Sequence, residues 1–430
     1  VRNASAALGN KVKLAMDLAG HKMRTGPIAE GPKVLKLRPG KDIYGKINQA
    51  LELWLGPYPR ENFVHIPFSA EELNKLSGLE TLFFRDTRGK KRSIQLVQKE
   101  GEGFIAHCWQ TTFIETGMKL FLDKKNTENF LIVGNLPARE IPILLQRGDI
   151  LRIDKEPATG QPAKYNEQGE LVEIAHISCT APAIFDEAKK GEKILFDDGK
   201  IAGIIHQILP DHMLVRIEQT AFGGGKLRAD KGINLPDSKL TISGLTEKDK
   251  QDLEFVAAHA DVVNFSFVNR PEDVRELLDE LKKLEAREKL GLILKIETQN
   301  GFNQLTDILL EAMQIYPLGV MIARGDLAIE TGWNNIGRVQ EEILSICQAA
   351  HITDIWATQV LEGLAKKGIP SRAEITDAVM AQRADCVMLK KKHYIIAAIE
   401  LLDNIITEME PFWEKNAPLS PMLTTADTKT

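Results

Sequence analysis

Lys295 and Glu297 are separated by one isoleucine at the end of the apolar run LGLILKIE (290–297). Residues two apart on a strand face the same way. An ammonium and a carboxylate therefore project together at a strand's C-terminal end, where barrel enzymes place their active sites. A plain strand-end salt bridge has the same signature. Asp326 follows the next apolar run, within Ala323-Arg324-Gly325-Asp326. A carboxylate there can hold a divalent cation beside Glu297, because two protein oxygens plus substrate oxygens suit Mg2+. Helix N-capping is the commoner use of such a residue. Thr358 closes TDIWAT (353–358), with a hydroxyl for either a substrate or the backbone. Asp17 ends an early strand, and Arg24 comes seven residues later in DLAGHKMRTG. That arginine can clamp a phosphate or serve as a charged hinge. Asp197-Asp198-Gly199 sits between two β runs, where Asp-Gly also makes a favoured hairpin turn. Lys226 and Lys231, in GGGKLRADKGINLP, are placed either to reach a polyphosphate or to remain solvated.

The elements that must carry these groups fall into two textures. From about residue 240 onward, apolar strands alternate with amphipathic helices: ADVVNFSFV (260–268), LGLILKIE, LGVMIA (318–323), TDIWAT and DCVML (385–389). With Ser266, Lys295, Ala323, Thr358 and Leu389 as strand ends, the spacings are 29, 28, 35 and 31 residues. Those are βα-unit lengths in series, the rhythm of a parallel sheet or barrel. Between them, Val274, Leu277, Leu278, Leu281 and Leu284 share one face of a helix expected over 270–290, with Pro271 in its first turn. Thr246 to Asp249 reads as a capping box opening another helix. KVKLAMDL (11–18) looks like one more barrel strand.

The stretch 27–236 is instead a series of short β runs broken by Gly, Pro and Asp. The expected organisation is a first barrel segment (1–26), an inserted mainly-β lid (27–236), a second barrel segment (237–415) and a disordered tail (416–430). Two phosphate-loop look-alikes fail. GKDIYGKI (40–47) has Ile47 where a Mg2+-binding hydroxyl is needed, and GEGFIA (101–106) sits in β texture with no helix after it.

Composition removes several classes. The chain has 430 residues, 55 Lys+Arg against 60 Asp+Glu and a net charge of −5. That balance argues against a nucleic-acid coat or a membrane-surface protein. No apolar run reaches the ~18–20 residues of a membrane span. The four cysteines (Cys108, Cys179, Cys347, Cys386) are scattered, with no CxxC. A reducing compartment, the cytoplasm, is the expectation.

Taken together, MDLAGHKMRTG (16–26), FDDGK (196–200), DKGINLP (230–236), LTEKDKQDL (245–253), LKIET (294–298), MIARGDLAIE (321–330), ATQVLE (357–362) and SRAEITDAV (371–379) resemble the pyruvate kinase family, in that family's order and nearly at its spacings. The resemblance implies a TIM-type (β/α)8 barrel with an inserted β-barrel lid. It implies phosphoryl transfer between phosphoenolpyruvate and ADP, giving pyruvate and ATP. Glu297 and Asp326 would bind Mg2+, with Mn2+ as an alternative. Lys295 would stabilise charge on the moving phosphoryl, Thr358 would lie near the carbon that accepts a proton, and Arg24 would contact the phosphoryl group. Asp17, Lys22, Ala323, Arg324 and Gly325 would complete substrate binding, with Asp197 and Lys231 holding nucleotide from the lid. No nucleic-acid or membrane partner is implied, and a homo-oligomer through the barrel is.

The departures from the family pattern carry their own expectations. Six strands are counted where a closed barrel needs eight, so the barrel is expected to be open or N-terminally incomplete, without the first two units. The C-terminal domain of the family is not expected, and the lid is about twice the usual size. Lys390-Lys391-Lys392-His393 stands where the family carries Ser-Gly-Glu-Thr. Lys22 occupies a position that holds Glu in potassium-dependent members and Lys in potassium-independent ones, so K+ is expected not to be required. A catalytically impaired, pyruvate kinase-like binding or regulatory protein is the alternative. A metal-dependent aldolase or lyase is a third, weakened by the nucleotide-facing motifs FDDGK and DKGINLP.

Overall fold

The computed structural model describes residues 1–123, 128–238 and 244–413, so the tail expected at 416–430 lies outside the described residues. Six parallel strands pair in chain order: Ala15–Leu18, Val262–Phe265, Gly291–Ile296, Leu318–Ala323, Thr353–Ala357 and Cys386–Val387. From the second strand on, every strand is followed by helix, the α/β-barrel arrangement that the spacings anticipate. Parallel strands covered by helices are buried on both faces and read as continuous apolar runs. Leu318–Ala323 is buried at all six positions.

The helices follow their apolar stripes. Pro271–Lys283 opens with Pro271 in its first turn and buries Val274, Leu277, Leu278 and Leu281. It stops short of the expected residue 290, because Glu285 takes a left-handed φ of 51° that a continuing helix excludes. Glu247–His259 opens with the expected box between Thr246 and Asp249.

Asp249 does more than cap. Its carboxylate is fully buried. One oxygen accepts from the backbone N–H of Ala19 at 2.9 Å and of Gly20 at 3.3 Å, and the other from Thr246 N at 2.9 Å. The helix therefore fixes the turn that leaves the first strand and leads into Lys22. Replacing Asp249 by Ala removes the acceptor of one buried and two partly buried N–H groups. It is expected to lower unfolding stability by about 3 kcal/mol, read as a shift in the urea midpoint; a change below a few tenths would show the bonds to be dispensable.

The 27–236 segment, expected as one lid, is divided by its contacts. Residues Ile28–Pro142 form a separate compact unit, while Ile143 onward groups with Val1–Pro27 and the parallel sheet. The separate unit is built on a seven-stranded sheet over a core that includes Leu53, Leu55, Ile66, Leu82 and Ile94. GKDIYGKI forms a small hairpin there, and GEGFIA enters the strand Gly103–Cys108; neither opens a helix.

The second β sheet, in the larger unit, has six strands in the order His176–Ser178, Ile150–Asp154, His212–Gln219, Ile201–Ile208, Lys193–Phe196, Ile233–Asn234. Met213, Val215 and Ile217 alternate inward along one of them, as period-two patterning requires. No helix among the described residues is long and apolar enough to cross a membrane.

Candidate functional site

The strand Gly291–Ile296 delivers Lys295 and Glu297 to one place. Lys295 Nζ donates to Ser266 Oγ at 2.8 Å and lies 3.5 Å from a carboxylate oxygen of Asp17 and 3.5 Å from one of Glu297. Three neighbouring segments thus converge on one ammonium. The strand-end salt bridge exists, and it belongs to a wider cluster. Glu297 is 4% exposed, and its other oxygen accepts from the backbone N–H of Phe267 at 2.6 Å. Burial pushes its carboxyl above the ordinary value and the charge of Asp326 adds to that, against the pull of Lys295. Asp17 also accepts from Asn264 Nδ2 at 2.6 Å, while Asn264 Oδ1 is buried without a partner among the described residues.

Asp326 is not the N-cap of its helix. Arg324–Thr331 is capped at Ala323, and Asp326 lies in the first turn. Its two oxygens accept from Lys22 Nζ at 3.0 and 2.9 Å. Lys22 comes from the turn that Asp249 holds, so the first strand and the fourth are joined here. Arg324 lines the cleft that also holds Asp326 and Thr358, and its side chain is engaged there by other partners. Its Nε donates to Ala357 O at 2.9 Å, its fork grips Asp377, and the guanidinium stacks 4.6 Å from the Trp356 ring centre. Arg324 also donates to the carbonyl of Thr358. It is a brace for the segment that presents Thr358, just beyond the strand Thr353–Ala357. Gly325 sits beside the Thr358 hydroxyl, where an added Cβ would lie 3.4 Å away.

Asp197-Asp198-Gly199 is the hairpin turn that its Asp-Gly pair suggests, with positive φ at all three. Asp197 also binds Lys200 at 3.0 Å and Lys231 at 3.3 Å. Burial opposes its charge, but these two ammonium groups outweigh that and hold the carboxyl below its ordinary value. Lys226 and Lys231 line a hollow of the second sheet together with Lys200. A neighbouring cleft is lined by Asp198 and Lys200 from this sheet and by Gly325, Asp326 and Thr358 from the parallel sheet. Arg24 is turned elsewhere: its guanidinium pairs with Asp230 at 3.4 Å and donates to the Asp230 carbonyl at 3.1 Å.

Five residues to which the sequence reading gives no role complete the arrangement: Ser266 and Asn264, and, within the quoted motifs, Asp377, Lys200 and Glu330. Glu330 lies four residues after Asp326, one helical turn on, a spacing that places both on one face. Its carboxyl accepts from Asn234 Nδ2 at 2.7 Å, linking the parallel sheet to the last strand of the second. Burial pushes Glu330 up to about 7, with Asp326 adding to the rise. A carboxyl raised on folding stabilises fully below its unfolded pKa, and that contribution is lost as pH rises through the folded value. Glu330→Gln is therefore expected to be more stable than the unaltered chain at pH 8, by up to about 3 kcal/mol. The difference should vanish below pH ~4.5; chemical denaturation at both pH values reads it, and a pH-independent difference would contradict the assignment.

Glu297 and Asp326 form a hard-oxygen donor pair near enough to repel one another. Such a pair fits Mg2+ or Mn2+ when substrate oxygens and water supply the remaining ligands. Among the described residues no group of three or more His, Cys, Asp or Glu is placed to hold a metal ion by protein ligands alone.

Comparison with known proteins agrees with the geometry. Residues 119–393 match the model of the pyruvate kinase barrel domain. The chain is 32% identical over 285 residues to a pyruvate kinase of Geobacillus stearothermophilus, covering 65% of this chain and 45% of that protein. It is 31% identical over 274 residues to one from Methylorubrum extorquens, covering 62% and 52%. It is 37% identical over 202 residues to one from Hypocrea jecorina, covering 46% and 36%. The chain spans about half the length of the curated relatives it matches. A family model that covers well over half the chain, and a Lys–Glu–Asp cluster where that family's motifs fall, lead to one conclusion: this chain belongs to the pyruvate kinase family.

Proposed function

We propose that the chain transfers a phosphoryl group between phosphoenolpyruvate and ADP, giving pyruvate and ATP, as a cytoplasmic glycolytic enzyme. The observation that carries this reading is the convergence of Lys295, Glu297 and Asp17, with Asp326 beside them held by Lys22. Phosphoryl transfer asks mainly for positioning and charge neutralisation, so no Walker loop is needed. Mg2+, held by Glu297 and Asp326, would supply positive charge against the phosphoryl oxygens.

The residues of the chain do the rest. Lys295, steadied by the Ser266 hydroxyl, offers its ammonium to the charge that builds on the moving group. The Thr358 hydroxyl, positioned through the Arg324 brace, stands near the carbon that takes up a proton. Backbone N–H groups of Gly325 and Asp326, at the start of Arg324–Thr331, face anionic substrate oxygens. Asp197 and Lys231, with Lys200, hold the nucleotide from the second sheet. Arg24 reaches the phosphoryl group after exchanging Asp230 for it. Lys22 supplies the monovalent charge locally, so K+ is not required. A homo-oligomer would form through the barrel segment.

The test is pyruvate release from phosphoenolpyruvate and ADP with Mg2+ and without K+, beside a Lys295→Met control. Turnover abolished by that change supports the reading. A second reading, a binding or regulatory relative with impaired catalysis, is favoured by Lys390-Lys391-Lys392 and by Arg24 being engaged with Asp230. Mg2+-dependent binding of phosphoenolpyruvate with no turnover would select it.

A further inference from the structure

Residues 231–234 join the two groups of site residues, and they are fixed from three sides. Lys231 N donates to Thr25 Oγ1 at 2.9 Å and Ile233 N to Met23 O at 2.9 Å. Those bonds tie them to the segment just after Lys22. Asp197 N donates to Gly232 O at 3.0 Å, and Ile233–Asn234 pairs with the strand Lys193–Phe196. Those contacts tie them to the Asp197 hairpin. The third attachment is a side chain: Asn234 Nδ2 donates to Glu330 Oε1 at 2.7 Å. Asn234 is 6% exposed, so water competes poorly for that bond.

Glu330 lies one helical turn beyond Asp326 on Arg324–Thr331. The short helix Gln299–Asn303 begins two residues after Glu297 and packs against that same helix. Asn234, Gln299, Asp326 and Glu330 line one chamber of about 210 Å³, with Lys22 also in its wall. The segments that carry Glu297, Asp326 and Lys231 therefore meet around one carboxyl. Stability does not account for its being there. Burial and the charge of Asp326 both oppose its ionised form. A group that is costly to ionise, set in the wall of a site, points to a role in that site.

We propose that Glu330 is a positioning residue for the nucleotide. Through Asn234 it holds Lys231 and the Asp197 hairpin at a fixed reach from Asp326, so that a nucleoside diphosphate lies in register with the transferring phosphoryl group. Glu330 itself touches neither substrate. The inference rests on the phosphoryl-transfer reading, in which Asp197 and Lys231 hold the nucleotide. Misplacing a reactant by about 1 Å is enough to cost much of a rate, so one bond between the two sheets matters. The phosphoenolpyruvate half does not depend on it, because Lys22 and Lys295 hold Asp326 and Glu297 through their own contacts.

The experiment measures dissociation constants of ADP and, separately, of phosphoenolpyruvate by calorimetry on the full chain with Mg2+. Five forms are compared: unaltered, Glu330→Leu, Asn234→Ala, both changes together, and Glu330→Gln. Glu330→Leu is expected to weaken ADP about tenfold, the scale of one charge-assisted hydrogen bond, and to leave phosphoenolpyruvate within about threefold. Glu330→Gln, whose carbonyl still accepts from Asn234, should recover most of the ADP affinity. The double variant should bind ADP no more weakly than the weaker single variant, because both changes remove the same bond. Additive losses, equal weakening of both ligands, or unchanged ADP affinity in Glu330→Leu each overturn the proposal. Urea melts check folding, and if Glu330→Leu does not fold, Asn234→Ala carries the same expectation for both ligands. Pyruvate release separates this inference from the reading beneath it. This pattern of ADP binding without turnover keeps Glu330 as a positioning residue and removes the phosphoryl-transfer reading. Turnover with an unchanged KM for ADP in Glu330→Leu does the reverse, and no ADP binding by the unaltered chain overturns both.

Discussion

Lys295→Met is expected to reduce phosphoryl transfer by on the order of a thousandfold, the scale seen when a preorganised charge-stabilising group is removed from an active site. Methionine keeps the unbranched stem and its packing but removes the ammonium. Lys295 is 14% exposed at its side chain, so water does not replace the lost charge easily. The change also leaves Glu297, 6% exposed at its side chain, with its main opposing charge gone. Its carboxyl, already raised by burial, should rise further, which weakens it as a ligand for a divalent cation. The loss should fall mainly on kcat, because the ammonium matters most when charge moves. Steady-state kinetics against phosphoenolpyruvate, beside a urea melt to show that the variant folds, would decide it. Turnover within tenfold of the unaltered chain would remove Lys295 from the mechanism.

The second large effect concerns Lys22. Its ammonium donates to both oxygens of Asp326, at 3.0 and 2.9 Å, and lies 5.6 Å from the Phe267 ring. Around the site, Lys22 and Lys295 stand against Asp17, Glu297 and Asp326. Lys22→Glu changes that balance by two units and sets a fourth carboxylate beside Asp326. Without K+, the variant is expected to lose activity by roughly a hundredfold, about 2.7 kcal/mol in barrier terms. Added K+ should restore some of the loss in the variant and do little to the unaltered chain. Initial rates in potassium and in tetramethylammonium chloride, at equal ionic strength, make the comparison. Strong potassium stimulation of the unaltered chain would refute the tethered-charge role.

The parallel sheet is the most legible region of the chain, for a physical reason. Strands buried on both faces must be apolar throughout, and LGVMIA, TDIWAT and LGLILKIE match their observed strands to within a residue at each end. Three others run past the observed strands: KVKLAMDL pairs only over Ala15–Leu18, ADVVNFSFV over Val262–Phe265 and DCVML over Cys386–Val387. The division of 27–236 is not legible. Both pieces are β-rich with similar turn chemistry, and which strands share a core depends on long-range pairing that local pattern does not encode.

Among the site residues, Lys295 and Glu297 follow from strand alternation alone, since a period of two needs no tertiary information. Their partners do not. Ser266 and Asn264 lie near Asp17 and Lys295 only because Val262–Phe265 pairs between the first and third strands. Arg324 reads as a substrate residue in the motif, yet the fold engages it with Asp377, the Trp356 ring and the Thr358 carbonyl. Glu330 is within reach of the helical period, but its raised pKa comes from burial beside Asn234 of another sheet and from the charge of Asp326.

Motif spacing and strand period are local properties, so the family, the βα rhythm and the identity of the groups that could carry charge are all present in the linear chain. Which of those charges meet is a property of the folded molecule. Folding joins Lys22 to Asp326, turns Arg24 to Asp230, and sets Lys36 and Arg88 over the Phe113 ring. Ion pairing depends on distances between segments far apart in the chain, and those distances exist only once the strands have paired.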